Sequence, residues 1–151
     1  LAIEGALRGA RVSRLVALGS PGAYIAGDPP TDYFFMRPEE RVTLLFNDVG
    51  AAPQPSGAHI VRNEAMTARL VWQPRYVSPK LLGRIHRLDV PTLVVWGGDD
   101  RFLSLAHGRA LADGAANAAL STVASAGHFP ALDRPADTAR TTLDFFDEGK
   151  S

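Results

Sequence analysis

The spacing of apolar positions changes character along the chain. Leu1, Ile3 and Leu7 sit at helical spacing and run up to Gly9, a residue suited to the left-handed position that ends a helix. Leu15-Val16-Ala17-Leu18 is a continuous apolar run, closed by the turn cluster Gly19-Ser20-Pro21-Gly22. That is the pattern of a strand buried on both faces of a parallel sheet. From Ala23 to Asp89, proline and glycine cut the chain into short pieces with helical periodicity. Pro38 opens one, ahead of Val42, Leu44, Leu45 and Phe46. Ser56 caps a second that carries Ile60, Val61, Met66, Leu70 and Val71. Ser78 and Pro79 open a third, with Leu81, Leu82, Ile85 and Leu88 on one stripe.

The last third alternates. Thr92-Leu93-Val94-Val95-Trp96 is the clearest strand, placed between Pro91 and Gly97-Gly98. Ser104 to Asp113 reads as a helix and Ala119 to Ala124 as a weaker strand. Pro135 starts a final helix with Ala139, Leu143 and Phe146 on one face. Strand–helix–strand–helix order implies right-handed crossovers and a parallel sheet, an α/β fold. The expected division is 1–22 for a helix end and first strand, 23–89 for a helical cap, and 90–151 for the rest of the core.

Composition narrows the function classes. Hydrophobic residues make up 46% of the 151 residues and charged residues 21%, which suits one globular domain. Lys+Arg and Asp+Glu both number 16, so no basic surface recommends a nucleic-acid partner. No apolar run approaches the roughly 18–20 residues that span a bilayer. The absence of cysteine removes disulfides, thiolate metal ligands and a cysteine nucleophile, and suits a reducing, cytoplasmic compartment. The opening Leu1-Ala2-Ile3-Glu4 lacks the features of a signal peptide; the expectation is a processed chain or a piece of a longer one.

In an open parallel sheet, ligands bind beyond the carboxyl ends of the strands. The residues there are Gly19 to Gly22, then Gly97 to Arg101, then Ser125 to Pro130. An acid, Asp99 or Asp100, and His128 thus follow neighbouring strands. A carboxylate bonded to one ring nitrogen of histidine fixes its tautomer and leaves the other nitrogen as general base.

Pro91-Thr92-Leu93-Val94-Val95-Trp96-Gly97-Gly98-Asp99-Asp100 resembles the acid-bearing strand of α/β-hydrolases. Ala126-Gly127-His128-Phe129-Pro130-Ala131-Leu132-Asp133-Arg134-Pro135 resembles their histidine loop, and Arg11 to Ser20 resembles the strand after the nucleophile helix. The resemblance implies the C-terminal part of such a sheet with a helical lid insertion, incomplete without N-terminal strands. It implies Asp100 as triad acid, with Asp99 as its competitor, His128 as base, and Asp133 as an acceptor for backbone N–H groups of the histidine loop. The family's Gly-x-Ser-x-Gly elbow is absent from residues 1–151. The implied nucleophile therefore lies upstream of Leu1, and the chain by itself is expected to be inactive. The implied chemistry is hydrolysis of an ester or similar small apolar-acyl substrate, with no cofactor or metal. Two alternatives stand beside it: a catalytically dead product or binding module, and an epoxide, haloalkane or C–C bond hydrolase of the same fold.

Other residues have plainer expectations. Ser20 reads as a turn residue, His107 as a surface residue on its helix, and His59 and His86 as residues without a role. A metal site from Asp99, Asp100, His107 and His128 matches no known ligand spacing. Tyr33, Phe34, Phe35, Trp72 and Tyr76 are expected to pack the cap helices and line a pocket.

Overall fold

A computed structural model describes residues 2–54, 56–72 and 76–148; Leu1, the first residue of the expected opening helix, lies outside them. Helix α1 (Ala2–Leu7) ends where Gly9, at φ 84°, reverses the chain. Gly9 N donates to Ala6 O at 3.1 Å and Ala10 N to Gly5 O at 3.0 Å, satisfying carbonyls that the helix leaves open. Strand β1 (Leu15–Leu18) follows. Between β1 and the next strand lie α2 (Pro38–Leu45), α3 (Gly57–Val71) and three short 3-10 turns. Then come β2 (Thr92–Gly97), α4 (Leu105–Gly114), β3 (Ala118–Val123), α5 (Pro130–Asp133) and α6 (Pro135–Asp147).

The strands form one parallel sheet in the order β1-β2-β3. Leu15 faces Thr92 and Leu18 faces Val95; Thr92 faces Ala118 and Gly97 faces Val123. Strand β2 is central and buried throughout, which its unbroken apolar run demands. Alternate residues serve opposite faces. Leu15, Ala17, Val94 and Trp96 join Ile85, Leu88, Leu103 and Leu111 in the larger core. Leu93, Val95 and Val123 form the other, with Phe145 of α6 against them. Among the described residues β1 pairs with β2 alone, and Leu18 at its end is exposed.

Several expectations need correction. The stretch opened by Ser78 and Pro79 is not an α-helix. Leu81 N, Arg84 N and Leu88 N donate to the carbonyls three residues back (2.9, 2.9 and 2.8 Å), and only Ile85–Arg87 forms a 3-10 turn. Gly83 in its middle weakens helix propensity, while Leu81, Ile85 and Leu88 are still buried. His107 is 1% exposed, because it shares the face of α4 that buries Gly108, Leu111 and Ala112. Its Nδ1 lies 3.4 Å from Ser104 Oγ, and Ser104 donates to the Asp28 carboxylate. The shared face of Ala139, Leu143 and Phe146 on α6 is exposed, and Phe145 packs α6 against the sheet residues Leu93, Val95 and Val123. Phe35 is 80% exposed.

Gly108 is the closest approach of α4 to the sheet. A Cβ there would lie 2.8 Å from Cδ2 and Cε3 of Trp96. That ring is fully buried and its Nε1 donates to Leu103 O at 3.1 Å, so it has nowhere to move. Helix propensity alone would favour Gly108→Ala by about 0.5–1 kcal/mol. Overpacking costs about 1–3 kcal/mol and should win. Urea denaturation should show Gly108→Ala less stable than the parent, with an unchanged slope.

Candidate active site

The parallel register brings the ends of β2 and β3 to the same rim. Gly98 N donates to Val123 O at 2.8 Å and Asp99 N to Ala126 O at 2.9 Å, so the two loops run in backbone contact. Gly97 permits this: a Cβ there would collide with the carbonyls of Ala126 and Gly127. Beyond that contact the chain turns around Asp100. Its Oδ1 accepts from Phe102 N at 2.9 Å and Leu103 N at 3.0 Å. Its Oδ2 lies 2.9 Å from Nδ1 of His128. The Asp100 side chain is 1% exposed and that of His128 9%. Asp99, the other acid considered, is exposed and bonds through its backbone.

A carboxylate only accepts, so the proton of the His128–Asp100 bond resides on Nδ1. Nε2 is then the basic nitrogen, and no hydrogen bond within the described residues engages it. Phe102 and Phe129 clamp the imidazole edge to face, at centroid distances of 4.8 and 5.0 Å. The turn after β1 closes against the same loop: a Cβ on Gly19 (φ 49°) would sit 2.5 Å from His128 O.

Asp133 is buried, and among the described residues it accepts from backbone groups only. Gly127 N (2.6 Å) and Asn47 N (2.9 Å) donate to Oδ2, and Asp48 N (3.0 Å) donates to Oδ1. His128 N donates to Leu45 O at 2.8 Å. The histidine loop therefore rests on the segment that follows α2. Sequence reasoning missed this docking, and missed Arg101, Asn47 and Phe102 with it. The signal lies in pairings more than fifty residues apart, such as Arg101 NH2 with Asn47 Oδ1 at 3.1 Å.

A cavity of about 200 Å³ touches His128 and is walled by Tyr33, Leu45, Val71, Tyr76, Phe102 and Phe129. A larger one, about 390 Å³, runs beside the open edge of β1 past Glu4 and Leu70 without reaching His128. Of the two, the smaller is the one that His128 lines. An aromatic chain links its walls to the end of α3: Trp72, Phe34, Tyr76 and Phe102 pack in succession at 5.3, 5.9 and 4.8 Å. Ser20 lies along the larger cavity. Among the described residues no three His, Asp or Glu side chains gather into a possible metal site, and no helix is long and apolar enough to cross a membrane.

Residues 1–141 match the model of the alpha/beta hydrolase family. The chain belongs to that family. Among curated relatives, the 2-hydroxy-6-oxo-6-phenylhexa-2,4-dienoate hydrolase of Comamonas testosteroni is 36% identical over 69 residues, 46% of this chain and 23% of the relative. Monoacylglycerol lipase ABHD6 of Homo sapiens is 32% identical over 73 residues, 46% and 22% of the two chains. Among solved structures, a meta-cleavage product hydrolase from Pseudomonas fluorescens IP01 aligns over 97% of this chain and 60% of its own, with a TM-score of 0.75 and 20% identity. A bacterial membrane phospholipase A aligns over 97% and 53%, with a TM-score of 0.71 and 20% identity. These structural likenesses establish the α/β-hydrolase fold. The chain spans little more than half the length of those structures, and its aligned segments span about a quarter of the curated relatives.

Removing the Asp133 carboxylate would orphan three backbone donors, one beside His128 and two on the segment that follows α2. Each orphaned buried donor costs about 1–3 kcal/mol. Asp133→Ala should therefore lower the urea midpoint by far more than Asp99→Ala, whose carboxylate is exposed.

Proposed function

We propose that this chain supplies the acid and base of a hydrolase, with Asp100 and His128 as two members of a Ser-His-Asp triad. The observation that carries the proposal is the 2.9 Å contact between a buried carboxylate and Nδ1 of His128 at the rim of a parallel sheet. The nucleophile, a serine in a Gly-x-Ser-x-Gly elbow, lies upstream of residue 1. So do the backbone N–H groups that hold the oxyanion. Nε2 of His128 takes the serine proton as the hydroxyl attacks the acyl carbon, and Asp100 stabilises the resulting imidazolium. His128 returns that proton to the departing alkoxide. Water then attacks the acyl-enzyme and loses its proton to Nε2, which passes that proton to the serine oxygen as the acyl–serine bond breaks and the carboxylic acid leaves.

The walls at His128 are mostly rings and aliphatic groups. They suit an uncharged, apolar acyl group of modest size, because a substrate carboxylate would lose its water there. Residues 23–89 act as the cap that builds most of those walls, set between core spans 1–22 and 90–151. A second reading is hydrolysis of a C–C bond by the same dyad, favoured by the local identity to the Comamonas dienoate hydrolase.

Three measurements test the proposal. Purified residues 1–151 should release no stoichiometric burst of nitrophenol from p-nitrophenyl butyrate; a burst would mean a nucleophile within the chain. In the gene, the codons upstream of Leu1 should encode Gly-x-Ser-x-Gly. In the product that carries them, His128→Ala and Asp100→Asn should each lower kcat by about 10⁴. Retained activity in either variant would remove the assignment.

A further inference from the structure

Asn47 joins the loops that carry Asp100 and His128. Its Oδ1 accepts from NH2 of Arg101, the residue directly after Asp100, at 3.1 Å. Its Nδ2 donates to the carbonyl of Ser125 at 3.1 Å, just ahead of the histidine. Its backbone N–H donates to Asp133 Oδ2, the oxygen that also accepts from Gly127 N. Arg101 is held from the same side, since its NH1 donates to Thr43 O at 2.8 Å. Ser125 has φ 54°, a left-handed conformation that disfavours any residue with a Cβ, and the carbonyl of this strained residue is the one that accepts from Asn47.

We propose that Asn47 is a positioning residue. Alongside the backbone bonds from Gly98 and Asp99, it braces the acid loop against the histidine loop through Arg101 and Ser125, and thereby holds the tautomer of His128. This rests on the assignment of Asp100 and His128 as acid and base. The side-chain amide is suited to the task because it offers an acceptor to one loop and a donor to the other in one rigid plane. The bond it protects is steep in distance and angle, so loops that drift independently weaken it first. Asn47 touches neither ring nitrogen of His128 and takes no part in proton transfer.

The test is the tautomer ratio of neutral His128 in residues 1–151, read by long-range proton–nitrogen correlation NMR. The parent chain should hold the proton on Nδ1. Asp100→Asn should abolish that preference whatever Asn47 does, which checks the underlying assignment by itself. Asn47→Ala should raise the population with the proton on Nε2 about ten-fold, equal to about 1.4 kcal/mol. Asn47→Asp keeps the acceptor for Arg101 but loses the donor to Ser125, and should raise it less, in the same direction. An unchanged ratio in both Asn47 variants, beside a changed one in Asp100→Asn, overturns the proposal and leaves the assignment standing. An unchanged ratio in Asp100→Asn removes the assignment, and the proposal with it. Loss of folding in both Asn47 variants also overturns the proposal, since the residue would then hold the fold together and not tune the histidine.

Discussion

A carboxylate removed from water loses several kcal/mol of solvation unless donors replace the water. Asp100 is almost wholly buried, and the surrounding chain is arranged to meet that demand. Phe102 N–H and Leu103 N–H approach one oxygen because the backbone turns tightly around it. The imidazole of His128 completes the set from the neighbouring loop. The turn places Phe102 against the imidazole and leads Ser104 into the cap position of α4, where its Oγ accepts from Ala106 N. One buried charge thus organises the end of β2, the start of α4 and the orientation of the histidine.

Asp133 repeats the logic on the opposite side of the histidine loop. It satisfies its charge with backbone N–H groups alone, from the loop itself and from the segment after α2. The two carboxylates divide the work. Asp100 holds the imidazole, and Asp133 holds the peptide chain that bears it. Segment 45–48 is therefore tied to the histidine loop by main-chain bonds, including Leu45 O with His128 N. Main-chain bonds of this kind tolerate wide side-chain variation, so the docking can persist while the walls of the cavity change.

The parts legible in the sequence were those governed by local pattern. Leu15–Leu18 and Thr92–Trp96 are apolar runs bounded by turn residues, and a strand buried on both faces leaves that trace. The positions of Asp100 and His128 were legible because each follows a strand at a fixed short distance. What depends on packing was not legible. The stripe Leu81, Ile85, Leu88 is buried, yet apolar spacing at three and four residues serves consecutive 3-10 turns as well as a helix. His107 reads as a surface residue by polarity, but its place on α4 puts it under the sheet beside Gly108. The face of α6 with more apolar side chains points outward, since Thr138 satisfies its hydroxyl on Pro130 O and can enter the interior. Arg101 and Asn47 carry no local signal, because each matters only through the other's distant loop.

An acid–base pair has limited catalytic reach alone. A positioned general base contributes about 10²–10⁴ in rate, while stabilisation of the oxyanion is commonly the largest single term. What the described residues add to the base is rigidity. The imidazole is bonded at Nδ1 and held between two phenylalanine rings, and its backbone is bonded to Leu45. These constraints leave the ring little freedom, and the remaining nitrogen faces chemistry with its orientation already set. If His128 acts as the proposed base, the entropy of aligning it is met on folding, before any substrate arrives. Phe102 and Phe129 belong at once to that clamp and to the walls of the cavity. Under the proposed assignment, a change in either ring meant to reshape the acyl site would also loosen the base, and acyl preference and turnover would be bound together.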